Sequence, residues 1–230
     1  MSVPVGVFAS GGGTNLQELL DVLDPAVARV ALVLSDRPDA RALERGRAAG
    51  ARTAVVRVAD RPPEEVADEM IDALRAAGVK LIALAGFIRK VPDAVVRRWS
   101  GRILNIHPAL LPAFGGKGMY GHRVHEAVLE AGARVTGVTV HLVDEEYDRG
   151  RILAQWPVPV HADDSADSLA ARVLRVEHLI YPAVIEAAAA ALLRGDDVAS
   201  IIHPDGSMPG AYGPAQEADA AAIRRAVGLR

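Results

Sequence analysis

Apolar and polar positions along this 230-residue chain follow two alternating rhythms. Short β-branched runs, such as Val3-Pro4-Val5-Gly6-Val7-Phe8 and Leu81-Ile82-Ala83-Leu84, are apolar almost throughout, as strands buried on both faces are. Between them, apolar residues recur three and four positions apart among charged ones, the mark of a helix with one buried stripe. Strands are predicted at 3–8, 30–34, 53–58, 81–85, 103–106, 136–143 and 152–160, and helices at 16–22, 39–49, 63–77 and 92–99. Repetition of strand, helix and strand predicts an α/β fold with a doubly wound, mostly parallel sheet. The run 136–143 alternates more cleanly, which predicts a half-exposed strand antiparallel to the others near one edge. One long helix is expected over 165–193, with Ser165 as N-cap and Pro182 forcing a kink or break.

Past Gly195 the pattern weakens. His203-Pro204-Asp205-Gly206 reads as a turn, 208–216 is rich in Pro and Gly, and a final Ala-rich helix is expected near 217–227. The chain therefore divides into a domain over 1–196 and a C-terminal extension over 197–230, packed on the domain or trailing it.

Composition narrows the classes. Half the residues are apolar and 24 % are charged, enough for a sizeable core. A net charge of −3 without a basic cluster argues against nucleic acid as the main partner. The absence of cysteine excludes disulfides, thiolate nucleophiles and Cys-ligated zinc. Met1-Ser2-Val3-Pro4-Val5 enters a strand without a charged leader, and the apolar run 180–193, interrupted by Pro182 and Glu186, is too short for a bilayer. A cytoplasmic protein with no membrane partner is the expectation.

Candidate chemistry centres on Arg102-Ile103-Leu104-Asn105-Ile106-His107-Pro108. Residues two apart on a strand share a side, so Asn105 and His107 face one direction, and Pro108 keeps His107 extended. An amide donor beside an imidazole suits acyl or formyl transfer: one group for a developing oxyanion, one to hold or move a proton. Ser10-Gly11-Gly12-Gly13-Thr14-Asn15 follows the first strand and opens a helix, where free N–H groups attract phosphate. It matches neither the dinucleotide nor the P-loop pattern. In Leu84-Ala85-Gly86-Phe87-Ile88-Arg89-Lys90-Val91, a strand end, a glycine and an apolar pair could line a pocket for a flat ring. The loop Asp144-Glu145-Glu146-Tyr147-Asp148-Arg149-Gly150 could bring a carboxylate to His107, raising its pKa and fixing its tautomer. Spacing does not choose among Asp144, Glu145, Glu146 and Asp148. His122 and His125, three apart on an expected helix, lack an evident third metal ligand, so no metal is expected. His141 reads as a core or pocket residue, and Glu177, amid an apolar helix, faces solvent or a polar site.

Taken in order, these segments resemble the phosphoribosylglycinamide formyltransferases, folate-dependent transformylases of purine synthesis. The matching stretches are 10–17, 84–89, 104–112, 137–141, 147–150 and 177–182. The resemblance implies a Rossmann-like formyltransferase domain that moves a formyl group from 10-formyltetrahydrofolate to the amine of glycinamide ribonucleotide. It implies Asn105, His107 and Asp148 as the catalytic trio, Gly13, Thr14 and Asn15 at the substrate phosphate, and Glu177 near its ribose. Ile88, Arg89, Lys90 and Val91, with Asn105, would line the folate pocket. A monomer or weak homodimer acting on small molecules, without metal, is implied. The family's arginine for the folate glutamate tail has no clear match, Arg61 being only a neighbour of that position. The loop 114–121 is longer than in some members, and Arg149 stands where some carry glycine.

Rival readings are weaker. A methionyl-tRNA formyltransferase should carry a further basic domain, and a formyltetrahydrofolate hydrolase needs no phosphate loop. A nicotinamide-dependent oxidoreductase, with Asp36 reading a ribose, would leave Asn105 and His107 without a task.

Overall fold

The computed structural model describes residues 2–201. The helix expected near 217–227, the turn at His203 and the Pro/Gly-rich stretch lie outside the described residues. Seven strands, β1 (Val3–Phe8), β2 (Ala28–Ser35), β3 (Arg52–Val55), β4 (Leu81–Leu84), β5 (Ile103–His107), β6 (Val135–Leu142) and β7 (Ile152–Pro159), form one sheet in the order β3-β2-β1-β4-β5-β6-β7. The first five are mutually parallel, and β6 runs antiparallel to both β5 and β7, one strand in from the edge. Six helices join them: α1 (Thr14–Val22), α2 (Arg41–Ala48), α3 (Pro63–Ala76), α4 (Asp93–Arg98), α5 (His122–Glu130) and α6 (Ala166–Arg194). A short 3-10 turn, Val198–Ile201, follows.

Strand parity sorts the core into two layers. Val5, Val7, Ala83, Leu104 and Ile106 point to the side covered by α1, α2 and α6, where Leu16, Leu43, Leu169 and Val184 meet them. Phe8, Leu32, Leu34, Ile82 and Ile103 point to the side covered by α3 and α4, against Met70, Leu74, Val95 and Trp99. Both faces of the central strands are thus buried, the reason their sequences carry so few polar residues.

The chain leaves β1 to build β2 and β3 on one side, then returns to place β4 on the other. Loops leaving β1 and β4 diverge at that reversal, and such crevices at strand carboxyl ends are where ligands bind in wound sheets.

The longest helix departs from expectation. α6 has Ser165 as its N-cap, as predicted, in a reciprocal cap with Ser168, but it is not broken at Pro182 and runs for 29 residues. Proline removes one intrahelical donor. Here the neighbourhood compensates, because residues 180–189 are almost wholly buried and tertiary contact outweighs local propensity. α6 is also the one described helix long and apolar enough to cross a membrane, yet 72 % of that stretch is buried within the fold. It is a core helix. Its Tyr181, fully buried, sets its hydroxyl 2.9 Å from Leu84 O and 3.1 Å from Leu104 O, tying the last residue of β4 to β5.

Candidate active site

The glycine turn is built by what it faces away from. The carbonyl of Gly11 accepts from Ala42 N (3.1 Å), and that of Gly12 from Arg45 Nε (2.9 Å), both on α2. Across a trans peptide the following N–H points the opposite way, so the Gly12 and Gly13 amides turn from α2. Gly13 sits at φ 69°, and a Cβ there would lie 2.9 Å from that of Ala42, so only glycine fits. The turn lines a cavity of about 440 Å³ with Gly86, Pro108, His125 and Glu177. Ser10 ties it to the loop after β4: its N–H donates to Gly86 O and its Oγ accepts from Ile88 N, both at 3.1 Å.

Asn105 and His107 project from β5 to the same side as Ile103, as the two-residue spacing requires. In the antiparallel ladder Asn105 lies opposite His141 and His107 opposite Thr139. Asn105 Nδ2 donates to His141 Nε2 at 3.1 Å, and His141 Nδ1 donates to Leu142 O at 2.8 Å. His107 is 97 % buried and its Nε2 donates to Phe114 O at 2.9 Å. A carbonyl only accepts, so Nε2 carries the proton and Nδ1 is free in the neutral ring.

Asp148 supplies the charge. Its Oδ2 stands 3.8 Å from His107 Nδ1, its Oδ1 3.6 Å from His141 Nε2, and Gly116 N donates to Oδ2 at 2.8 Å. The loop carrying it folds tightly onto β6, because a Cβ at Gly150 would fall within 1.8 Å of Leu142 O. Asp148 and Phe114 both have positive φ, 54° and 55°. These two strained residues deliver the carboxylate and the carbonyl to one imidazole, the kind of cost found where function over-determines geometry.

Burial drives the His107 imidazole below the usual histidine range; Asp148 and the Phe114 carbonyl pull upward, and His141 adds to the fall. Asp148 thus raises this pKa, as expected, but desolvation in a closed site outweighs it and the net shift is downward. For Asp148 itself, burial opposes ionisation, yet the His141 ring beside Oδ1, the Gly116 N–H on Oδ2 and the nearby His107 hold it below the ordinary carboxylate value.

The other sequence candidates divide. Asn15 and Glu177 meet, with Asn15 Nδ2 donating to Glu177 Oε2 at 2.6 Å. Burial raises the Glu177 pKa and the Asn15 contact opposes the rise. Glu177 therefore faces the polar site, not solvent. Gly13 and Thr14 line the same cavity. Ile88, Arg89, Lys90 and Val91 form the loop beyond β4, where Val91 is buried, Arg89 Nε lies 3.4 Å from Asp36 and Lys90 pairs with Asp93 at 2.8 Å. Arg61 is occupied by Glu69 at 2.6 Å. Among the described residues no group of His, Asp or Glu is arranged to hold a metal ion.

Sequence reasoning gave His141 only as a core or pocket residue, without its partners, and missed the Phe114 carbonyl. His141, on β6, bridges Asn105 and Asp148; its register opposite Asn105 was the available signal. The Phe114 carbonyl had none, since a backbone acceptor leaves no mark on residue type.

The chain belongs to the formyl transferase family, whose pattern matches residues 4–185. A chloroplastic phosphoribosylglycinamide formyltransferase of Arabidopsis thaliana is 45 % identical over 187 residues, which are 80 % of this chain and 64 % of the plant protein. The phosphoribosylglycinamide formyltransferase of Escherichia coli (strain K12) is 39 % identical over 182 residues, 78 % of this chain and 84 % of that protein. Glycinamide ribonucleotide transformylase 1 from Symbiobacterium toebii superposes with a TM-score of 0.76 at 40 % identity, over 83 % of this chain and 89 % of its own. The chain thus spans just under two thirds of the length of the plant relative.

Proposed function

We propose that this chain transfers the formyl group of 10-formyltetrahydrofolate to the amine of glycinamide ribonucleotide, giving the formylglycinamide ribonucleotide of purine synthesis and tetrahydrofolate. The observation that carries the reading is the approach of the Asp148 carboxylate to His107, beside Asn105, at the strand tip that opens on the glycine turn.

In this reading the amine attacks the formyl carbon, and the C–N bond forms as the carbonyl electrons move to oxygen. The Asn105 amide donates to the oxyanion, and the positive charge of a protonated His107 beside it adds electrostatic stabilisation, the largest single contribution in acyl-type transfer. The free Nδ1 of His107 takes its proton facing Asp148, which offsets part of the cost of a buried imidazolium. Collapse breaks the bond to N10 of the folate. The proton lost by the amine returns to N10 through water ordered at Asp148, so charge and atoms balance. The backbone amides of Gly13, Thr14 and Asn15 would hold the phosphate at the N-terminus of α1. Glu177 would bind ribose, and Ile88, Arg89, Lys90 and Val91 with Asn105 would line the folate pocket.

The test is a spectrophotometric assay of folate product with and without glycinamide ribonucleotide. Turnover only with the ribonucleotide supports the reading; equal turnover without it makes the chain a hydrolase.

A further inference from the structure

His122 and His125 lie three apart on α5 and both line the cavity of the glycine turn, His122 from its exposed side and His125 from its buried side. His122 is exposed, with Nε2 2.8 Å from Asp167 and Nδ1 3.3 Å from Glu126, linking the starts of α5 and α6. His125 turns inward: it is 5 % exposed, and its ring lines the cavity shared with the glycine turn and Glu177. Its Nδ1 is buried and has no hydrogen-bond partner, and the same is true of Asn15 Oδ1 on the same cavity. A buried polar atom left unpaired costs about 1–3 kcal/mol, so these two call for a partner, which water or a bound ligand can supply.

The unpaired atoms select the chemistry of that group. Asn15 Nδ2 already donates to Glu177, so its free Oδ1 needs a donor. A phosphate dianion offers only acceptors and cannot serve it. Sugar hydroxyls both donate and accept. Charge agrees: burial, followed by the nearby His122 and His107, pushes the His125 pKa down to about 4, so the ring is neutral near pH 7 and adds no cation for a phosphate.

We propose that His125 is a specificity-determining residue of the ribonucleotide site, hydrogen-bonding a ribose hydroxyl in the stretch between the glycine turn and the tip of β5. This inference rests on the proposed function and assigns the task of a residue outside the catalytic trio.

The test compares wild type with His125→Phe, and with His125→Asn, which keeps a donor and an acceptor in a smaller side chain. Each is assayed with glycinamide ribonucleotide and with its 2′-deoxy and 3′-deoxy analogues. His125→Phe should raise KM for the ribonucleotide about 10-fold, the worth of one neutral hydrogen bond, leaving KM for formyl-folate unchanged. His125→Asn should recover part of that loss. One deoxy analogue should be about 10-fold poorer for wild type and no poorer still for His125→Phe. Unchanged ribonucleotide KM in both variants, or an equal deoxy penalty with and without the imidazole, would overturn the inference. If His125→Phe does not fold, the His125→Asn comparison and the wild-type analogue series decide the matter by the same criteria. Failure of wild type to formylate the ribonucleotide at all would instead refute the proposed function.

Discussion

The Asp148 carboxylate stands 3.8 Å from Nδ1 of His107, while the other ring nitrogen is held at 2.9 Å by the Phe114 carbonyl. One nitrogen is therefore fixed by a hydrogen bond, and the other faces a charge that becomes attractive only once that nitrogen is protonated. Asp148→Asn preserves shape and removes the charge. Turnover should fall about 10²–10⁴-fold, the range for loss of acid–base assistance, and the pH–rate profile should shift. Circular dichroism should be unchanged. Full activity with an unchanged profile would separate Asp148 from the chemistry.

Asn105→Ala removes an oxyanion donor and also strands His141 Nε2, its partner at 3.1 Å. A loss of about 10²–10³ in kcat is expected, with KM for the ribonucleotide little changed. A change confined to KM would make Asn105 a ground-state binding group only.

Tyr181→Phe tests how the site is held in place. The hydroxyl serves the carbonyls of Leu84 on β4 and Leu104 on β5, in a fully buried position. Removing it leaves buried acceptors unpaired, and stability should fall by about 1–3 kcal/mol in urea titration. No change in the unfolding midpoint would show that these carbonyls find other partners.

Acid should weaken the fold before its carboxylates titrate. Burial lowers the pKa values of His107 and His125 from 6.5, the latter to about 4. As pH falls below the unfolded value, the unfolded chain gains protons that the folded chain refuses, so stability drops, levelling off below the folded value. His122 works oppositely: its hydrogen bonds with Asp167 and Glu126 raise its pKa, so its contribution is present at low pH and lost as pH rises through the folded value. Comparing urea midpoints of wild type and His125→Phe from pH 7 to 5 isolates one term. The variant should lose less stability over that interval, and parallel curves would contradict the assignment.

Much of this was legible in the residue order. Apolar runs gave the parallel strands because burial on both faces demands them, and alternation placed Asn105 and His107 on one side of β5. The glycine turn was readable because left-handed backbone and close approach to Ala42 leave glycine as the one residue that fits. What could not be read were long-range balances. Choosing Asp148 among four neighbouring acids depends on a loop whose positive φ leaves no periodic trace, and it came from family resemblance. The net fall in the His107 pKa depends on how completely the fold excludes water. Pro182 predicts an interruption only if helices are judged alone, whereas α6 is sustained by the core around it. His125, with its neighbour His122, read as half of a weak metal pair, because sequence shows spacing and not which way a ring turns.

The central claim is best tested by following the carbon itself. Wild-type protein is mixed with glycinamide ribonucleotide and 10-formyltetrahydrofolate labelled with carbon-13 in the formyl group, and the label is traced by NMR. The label should appear in the formamide of the ribonucleotide. Its appearance as free formate, or its retention on the folate, would rule out transfer to the ribonucleotide amine.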